Sequence, residues 1–573
     1  MTPKSKRAVI AVIRKAVFAG IVLLVVWLVL LGLRGTISED TINLMKQEMQ
    51  QEAKEPQEIS YNPWDWDWSK SLWTSEPVSG IVNERLWPTM GYICLTALFS
   101  LVLALVFLLI GRLISKATRK PGWLAKTRVV LRLLVISIAI SAPIFAWETL
   151  AAVYPWLWWG IEGGSPLVFV IAAFSASALP AWLLVQHGHS EMAKRPETQA
   201  IFDGALWRHL VISLFIKILK LIGVIIIIGI FVVFSSSLSG MGRTLVDAVN
   251  RRDFPIIFGI TWTFIVIVVL VKLAAELIEI MYSYFHHREQ KEESAVATVA
   301  GLRIPRWFLI TCLALVAVSV IIAVAAPLIA THGYNEMTLA DRLTGPSSKY
   351  ILGTDNLGRD VFSRMLFAIR EDIFLGLIAV GIVIVLAAGW GILGAHLKKT
   401  NDWQGDTLVD LAMLPRDVLC ACPWLILLLL FVSIVGMQTT GFITISLVLL
   451  VSLTLLPRAA EIVQEAYYFA PPGRGWLDRV LAALPVIVLF TVAGGILYIS
   501  ATSYLGFGVP PPIPELGSML SGPARRYMLQ APWMALWPSI TLVSLITVWV
   551  MTGNALLERL GFRTRDMWSK IWE

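Results

Sequence analysis

Long apolar runs dominate the pattern of this 573-residue chain and recur from its beginning to its end. A helix needs about 20 apolar residues to span the roughly 30 Å hydrocarbon core of a bilayer. The runs that reach this length predict an all-α polytopic membrane protein with twelve spanning helices. The predicted spans are residues 9–33, 89–113, 129–151, 166–187, 209–235, 255–283, 306–330, 373–397, 408–436, 440–460, 480–507 and 534–558.

A charged stretch divides the predicted spans into two groups of six. It reads HHREQKEE at residues 286–293, and this composition is typical of a solvated linker. We therefore predict a first transmembrane unit at residues 1–285, with an external segment at 36–88. A cytoplasmic linker at 286–304 would join it to a second unit at 305–573.

Composition and charge support a membrane protein and narrow its partners. Hydrophobic residues make up 57% of the chain and charged residues 15%. The net charge of +8 is compatible with a nucleic-acid partner, but the basic residues lie in short clusters beside apolar runs. Cytoplasmic loops of membrane proteins have this arrangement, so lipid is the predicted partner and no nucleic acid is expected. The four cysteines lie in apolar runs, and neither a disulfide framework nor a metal site is predicted.

Basic clusters also predict the orientation of the chain. Lys and Arg precede the first run and follow the second, and such loops stay in the cytoplasm. The segment at 36–88 is mostly acidic and rich in tryptophan, which places it outside. Twelve crossings then put both termini in the cytoplasm. The first run has no small-residue cleavage site and is predicted to be a spanning helix.

One polar stretch, ILGTDNLGRDVFSRMLFAIRED at residues 351–372, lies between two apolar runs. Gly353 and Gly358 permit backbone turns that a side chain would forbid. Four charged residues are predicted to pair among themselves beside the membrane: Asp355, Arg359, Asp360 and Arg364. One interpretation is a surface salt-bridge cluster that acts as a scaffold beside an external gate. The other is a docking site for a binding protein.

Two parts of the chain are weakly similar to each other. Residues 71–90 lead into the second predicted span, and residues 363–374 lead into the eighth. Arg85 and Arg370 each lie just before these spans. Two related six-helix units in tandem would explain the similarity, with a pseudo-twofold axis along the membrane normal.

Three stretches carry a family resemblance: LGTDNLGRDVFSR at 352–364, SYLGFGVPPPIPELGSML at 503–520 and APWMALWPSITLVSLITVW at 531–549. They resemble one permease type of bacterial ATP-binding cassette (ABC) importers for di- and oligopeptides and nickel, and the resemblance covers nearly all of residues 300–573. The first unit resembles the partner permease type through residues 71–90 and SGMGRTLVDAVNRRDFPIIFG at 239–259. The chain therefore looks like a fusion of two permeases that are usually separate.

The resemblance implies a permease that imports peptides or a similar small solute by alternating access in a bacterial cytoplasmic membrane. ATP and magnesium would bind to separate ATPase subunits, and an extracytoplasmic binding protein would deliver the solute. The chain itself has no GxxxxGK[ST] loop, so it is predicted to hold no cofactor and not to be an enzyme. The predicted outer-face scaffold or gate consists of Arg85, Gly242, Arg243, Gly353, Thr354, Asp355, Gly358, Arg359, Asp360, Arg364, Arg370, Gly506, Gly508 and Pro511.

In this family a short cytoplasmic helix between the fourth and fifth spans of each unit docks on an ATPase. The resemblance places these coupling loops at residues 186–209 and 459–485, where both are short and depart from the family's Glu-Ala-Ala and Gly pattern. Docking on a diverged ATPase and loss of coupling are both open interpretations. The candidate coupling residues are Glu191, Arg195, Glu197, Gly204, Glu461, Glu465, Ala466, Gly473 and Arg474.

Two other functional classes are alternatives. A secondary transporter driven by an ion gradient needs acids or bases inside its spans, but the centres of the predicted spans are almost free of charge. A non-transporting membrane scaffold would fit the degraded coupling loops. Peptide is the default substrate by resemblance, because the apolar positions of the spans identify no solute.

Overall fold

The computed structural model describes residues 3–37, 39–51, 62–117, 204–236, 240–285, 306–397, 418–419, 423–435, 440–469 and 476–560, with scattered positions in 170–188. Fifteen α-helices lie within these ranges. They are α1 (Pro3–Arg34), α2 (Glu39–Gln51), α3 (Val78–Ala117), α4 (Gly204–Lys220), α5 (Ile222–Ser236), α6 (Met241–Asn250), α7 (Phe254–Phe285), α8 (Arg306–Ile329), α9 (Val361–Leu397), α10 (Trp424–Val435), α11 (Thr440–Phe469), α12 (Trp476–Tyr504), α13 (Leu516–Leu520), α14 (Gly522–Arg526) and α15 (Trp533–Leu560).

Eight of these helices are long and apolar enough to cross a membrane: α1, α3, α7, α8, α9, α11, α12 and α15. Helices α4 and α5 form a ninth candidate span, bent by 53°. Each of the nine coincides with a predicted span, and the all-α membrane architecture is confirmed. The shorter apolar helix α10 lies inside the predicted span at 408–436. The predicted span at 129–151 and the predicted linker at 286–304 lie outside the described residues.

Helices α3 and α9 begin about three turns before the spans predicted for them. Their first turns contain polar side chains such as Glu84 and Arg370. Hydropathy detects only the part of a helix that lies in lipid, whereas the backbone remains helical in the polar region beside it. Arg85 and Arg370 therefore lie inside helices and not in loops.

The second group of helices packs around α9, which contacts α8, α11 and α12, while α12 also packs on α15. Small residues allow close approach. A Cβ at Gly391 would lie 2.7 Å from the carbonyl oxygen of Ala460, and one at Gly495 would lie 3.2 Å from the Cα of Gly376. Close backbone contacts of this kind are a common means of holding helices together in lipid.

Helix α10 packs between the two groups of helices. It contacts α5, α6 and α7 of the first group and α11 and α12 of the second. Its side chains Leu425, Ile426 and Leu429 are fully buried in a core that also contains Ile225 and Phe254. The described helices of the two predicted units therefore share a hydrophobic core.

Four connecting segments come together on one side of the helices, which we call the loop face: residues 62–77, 240–253, 330–360 and 505–532. The first two are joined by a 2.7 Å hydrogen bond from Trp73 Nε1 to the carbonyl oxygen of Arg251. The last two pack together through a cluster that includes Leu343 and Ala531. Trp73 and Phe507 belong to the same larger core, which connects the two pairs.

Candidate functional site

Two glycines fold back the part of the loop face between α8 and α9. Gly353 has a φ of +81° and Gly358 a φ of +73°, a region that side chains rarely adopt. A Cβ at Gly358 would lie 1.9 Å from the carbonyl oxygen of Thr338, so no side chain fits there. The N–H of Asp355 donates to the carbonyl oxygen of Arg359 at 3.0 Å and closes the turn.

The Asp355 carboxylate organises this turn. Its Oδ1 accepts hydrogen bonds from the backbone N–H groups of Leu357 at 2.8 Å and Arg359 at 3.0 Å. Its Oδ2 accepts from Arg359 Nε at 2.7 Å and lies 3.7 Å from Arg364 Nε. Arg364 also donates through Nη1 to the carbonyl oxygen of Tyr334 at 3.2 Å. One carboxylate therefore holds the turn and two guanidinium groups.

The charge cluster is internal, whereas the sequence predicted a surface cluster. Asp355 is 7% exposed and Arg364 8% exposed. Residues 331–343 fold over the cluster, since the carbonyl oxygen of Tyr334 receives the Arg364 side chain and the N–H of Leu343 donates to the carbonyl oxygen of Asp355 at 3.0 Å. Ion pairs in such surroundings are screened little by salt.

Among the residues that the structure describes, Asp360 pairs with no arginine, and that part of the prediction is wrong. It directly precedes α9, and its Oδ2 accepts from the N–H of Ser363 at 3.0 Å and from Ser363 Oγ at 2.6 Å. Thr331 Oγ1 donates to the same oxygen at 3.1 Å, and His332 Nδ1 lies 3.6 Å away. An Asp before a helix satisfies free N–H groups of its first turn, and this local demand takes the side chain away from the arginines.

A second acid, Asp341, anchors the outer part of the same segment. Its Oδ2 accepts from Lys349 Nζ at 2.7 Å and from the Tyr350 hydroxyl at 2.8 Å. The hydrogen bond from Lys349, followed by that from Tyr350, lowers the pKa of Asp341. The same hydrogen bond raises the pKa of Lys349 to about 12. The Thr354 hydroxyl donates to the Asp341 carbonyl oxygen at 2.5 Å, so the predicted site residue Thr354 joins the two turns.

The predicted site residues of the first unit lie at the start of α6. Gly242 is buried, and a Cβ there would lie 3.1 Å from the Cα of Ile230. Arg243 forms an exposed ion pair with Asp247 at 3.6 Å. The N–H of Met241 donates to Thr89 Oγ1 at 2.9 Å, which attaches this turn to α3. Arg85 lies one turn earlier in α3 and pairs with Glu84 at 3.1 Å.

Asp253 was not among the residues predicted from the sequence. Its buried side chain joins the first loop-face segment to the start of α7. Its carboxylate accepts hydrogen bonds from the Ser71 hydroxyl and from the N–H of Leu72. Ser71 Oγ in turn accepts from the N–H of Trp73 at 3.2 Å. Burial raises the pKa of Asp253, and the hydrogen bond from Ser71 opposes this. The signal in the sequence was an acid directly before an apolar run, where it can cap the helix.

The last loop-face segment turns back after α12 ends at Tyr504. Gly506 has a φ of +94°, and a Cβ at Gly508 would lie 1.7 Å from Ser503 Oγ. Pro511 is exposed at the tip of this segment.

Glu515, four residues after Pro511, is fully buried. Its carboxylate accepts from Ser500 Oγ at 2.7 Å and from the N–H groups of Gly517 and Ser518, both at 2.8 Å. The pattern ELGSML, with Ser three residues after Glu, is a capping signal that the sequence reading missed.

Most predicted coupling residues lie outside the described residues: Glu191, Arg195, Glu197, Gly473 and Arg474. Gly204 begins α4, and Glu465 lies in the last two turns of α11. Ala466 is buried in the core of the second group. Glu461 pairs with Arg458 at 3.4 Å within α11. The assignment of the coupling loops therefore stays a prediction.

Ion pairs connect α1, α4 and α7 at the face opposite the loops. Lys15 in α1 lies 3.2 Å from Glu276 in α7. Lys220, the last residue of α4, lies 2.6 Å from Glu279 in α7. These two ion pairs join α1 and α4 to the same helix, α7.

The polar and charged residues described above hold the ends of helices in position. Within the described ranges, no group of three or more His, Cys, Asp or Glu residues is placed to hold a metal ion. A narrow cleft lies between α11, α12 and α15, and its walls include Leu455, Phe490 and Tyr498, with Arg458 as its charged wall residue. The loop face brings together turns, caps and ion pairs that hold the helix ends in a defined arrangement.

Comparisons with known proteins place part of this chain among transport permeases. No family model matches the sequence. The chain is 30% identical over 263 residues to the di/tripeptide transport system permease protein DppC of Pseudomonas aeruginosa, covering 43% of this chain and 84% of that protein. It is 28% identical over 254 residues to the dipeptide transport system permease protein DppC of Alkalihalophilus pseudofirmus, covering 42% and 81%. The oligopeptide transport system permease protein OppC of Bacillus subtilis is 25% identical over 268 residues, covering 44% and 85%.

Proposed function

This chain belongs to the family of dipeptide and oligopeptide ABC transporter permeases, and from that premise we propose that it is a complete translocation unit made of two permeases fused in tandem. It would import peptides through the membrane by alternating access. The chain would perform no chemistry of its own, because the ATPase activity would reside in partner chains.

The proposal that two permeases are fused in this chain rests on one observation. The matched permeases are covered over 81–85% of their length, but the matches account for only 42–44% of this chain. What is left is long enough for a second permease, and it contains further apolar helices. A translocation pathway between two six-helix units is the arrangement expected for parallel repeats. The core shared around α10 supports such pairing, because it joins helices of both predicted units.

Partners follow from the family. One or two ATPase subunits would bind ATP and magnesium and dock on the cytoplasmic loops at 186–209 and 459–485. A binding protein would deliver peptide to the loop face. We assign the loop face to the outside of a bacterial cytoplasmic membrane and both termini to the cytoplasm, since the basic clusters favour this orientation.

Reconstituted transport tests this proposal. The full chain, co-expressed with candidate ATPases and a candidate peptide-binding protein from the same organism, is expected to co-purify with the ATPases and to drive ATP-dependent uptake of labelled dipeptides and tripeptides into vesicles. Replacement of residues 465–474 by a Gly/Ser stretch of equal length is expected to abolish uptake. The same replacement at residues 291–300 is the matched control and is expected to leave uptake intact.

The alternatives predict different results. Uptake that follows an imposed proton gradient without ATP would indicate a secondary transporter. Neither uptake nor stimulation of the ATPases by the chain would indicate a scaffold. Normal uptake after replacement of residues 465–474 would contradict the coupling-loop assignment but not the family.

A further inference from the structure

Arg34 ends α1 at the loop face, and its guanidinium group has donors that the fold leaves unused. Its Nε is buried and has no acceptor among the residues that the structure describes. The guanidinium carbon lies 4.2 Å from the centre of the Trp68 ring. Stacking on an indole fixes the plane of a guanidinium group, but the N–H groups in that plane still need acceptors. Arg34 therefore holds a fixed positive charge with free donors.

The acids of the neighbouring loop-face segment are engaged elsewhere. Asp67 Oδ1 accepts from the N–H of Ser69 at 3.1 Å and from Ser69 Oγ at 2.5 Å, and its Oδ2 lies 3.5 Å from Lys70 Nζ. Asp253 accepts from Ser71 and from the N–H of Leu72. These carboxylates hold their own turns, so they do not neutralise the guanidinium group of Arg34.

Trp64 places a second donor beside Arg34. Its indole covers Gly35, the residue that follows Arg34, because a Cβ at Gly35 would lie 3.1 Å from Trp64 Nε1. The backbone N–H of Trp64 donates to Asn62 Oδ1 at 3.2 Å, whereas its indole N–H has no acceptor within the described part of the chain. The indole of Trp68, in contrast, is fixed by a 2.8 Å hydrogen bond to the carbonyl oxygen of Pro63. Two side chains with unused donors therefore meet at the end of α1.

An apolar surface begins directly below these donors. Leu24, Trp27 and Leu28 of α1 are exposed. Trp27 lies seven residues before Arg34, which places it on the same face of the helix about 10 Å deeper in the membrane. A free anion would use only the donors. A phospholipid has its phosphate at the end of the membrane span and its acyl chains below, so it fits both parts of this surface.

We propose that Arg34 and Trp64 bind the phosphate of an anionic phospholipid, whose acyl chains lie along the face of α1 that carries Trp27. Guanidinium groups bind phosphate oxygens through two parallel hydrogen bonds, and the indole N–H adds a third donor. An anionic headgroup is preferred to a zwitterionic one, because the positive charge of Arg34 has no matching acid. The bound lipid holds the segment at residues 62–68 against α1 from the membrane side.

Native mass spectrometry of the purified full chain tests the site, with phosphatidylglycerol and phosphatidylcholine of the same acyl chains as probes. Wild-type protein is expected to bind phosphatidylglycerol more tightly. Arg34→Gln is expected to weaken this binding about fivefold, the effect of one basic residue beside an anionic lipid. Trp64→Phe, which keeps a ring but loses the N–H, is expected to weaken it less. Arg243→Gln is the control, because Arg243 is exposed and already paired with Asp247. It is expected to bind phosphatidylglycerol as the wild type does.

Hydrogen exchange locates the site in the wild-type protein and needs no variant to fold. Residues 62–68 are expected to exchange more slowly in nanodiscs of phosphatidylglycerol than in nanodiscs of phosphatidylcholine, while residues 340–350 are unaffected. Equal exchange of residues 62–68 in both lipids would overturn the proposal, as would equal phosphatidylglycerol affinities of the wild type and Arg34→Gln. Equal protection by inorganic phosphate in phosphatidylcholine nanodiscs would assign the donors to a free anion and would also contradict a lipid site.

Discussion

The indole N–H of Trp533 donates a hydrogen bond of 3.1 Å to the carbonyl oxygen of Thr354, a residue 179 positions earlier. Trp533 begins α15, and Thr354 lies in the glycine turn before α9. The indole ring also covers Gly353, where a Cβ would lie 2.6 Å from Trp533 Nε1. The two halves of the loop face in the second unit are thereby locked together, and α9 and α15 begin from a common anchor.

Gly353→Ala is predicted to destabilise this anchor. The new Cβ would contact Trp533 and also lie 2.9 Å from the carbonyl oxygen of Thr344, at a φ of +81°. Strain of this kind costs about 1–3 kcal/mol. A lower melting temperature of the purified protein in nanodiscs would show it. The control is Gly381→Ala in α9, where nothing lies within 4 Å of the added Cβ. Equal melting temperatures for both variants would contradict the predicted clash.

Asp355→Ala is predicted to be among the most damaging substitutions on the loop face. It leaves Arg364, which is 8% exposed, without its carboxylate and removes the acceptor for two backbone N–H groups. Removing one partner of a buried ion pair costs about 3–5 kcal/mol. Denaturant unfolding measures the loss. Asp247→Ala, which breaks the exposed pair with Arg243, is the control and is expected to cost about 0–1 kcal/mol. A similar small loss for Asp355→Ala would show that the cluster is not a structural anchor.

Asp341 is predicted to give the loop face an acid-sensitive contact. Hydrogen bonds from Lys349 and Tyr350 lower the pKa of Asp341 in the folded protein. Its stabilising effect is therefore present above the ordinary pKa of about 3.9 and is lost as the pH falls through the lowered value. Asp341→Asn is expected to show a smaller loss of melting temperature on acidification than the wild type. Asp247→Asn serves as a control at an exposed acid, and a profile for Asp341→Asn that matches the wild type would contradict the prediction.

Asp253→Ala is predicted to release the segment at residues 69–78. Without the carboxylate, the hydroxyl of Ser71 and the N–H of Leu72 lose their acceptor, at a cost of about 1–3 kcal/mol for buried groups. Hydrogen exchange of residues 69–78 should become faster while α9 is unaffected. Asp253→Asn retains an acceptor oxygen and is expected to restore most of the protection. Unchanged exchange in Asp253→Ala would show that the segment is held by other contacts.

The spans were predictable because lipid imposes a length and a composition on each helix, and α7, α8 and α12 are found where the apolar runs are. The turns at Gly353 and Gly358 were predictable because only glycine suits them. The residues that the charged side chains contact were not predictable. Asp360 bonds to the start of its own helix, and Asp253 accepts a hydrogen bond from Ser71 in a distant part of the chain. The partner that a charged side chain contacts depends on tertiary packing. Short motifs in a single sequence do not specify that packing.

The 53° bend between α4 and α5 affects how a force on α4 would be passed to α5. Lys220 ends α4 at this bend and is tied to Glu279 of α7. Helix α4 begins at Gly204, inside the proposed coupling loop at 186–209, whereas α5 leads to the loop face at Met241. A straight helix would pass an axial push along its length. If the proposed ATPase pushes on α4, a bend held at Lys220 would turn that push into a tilt of α5 and move the helix end beside Gly242 sideways.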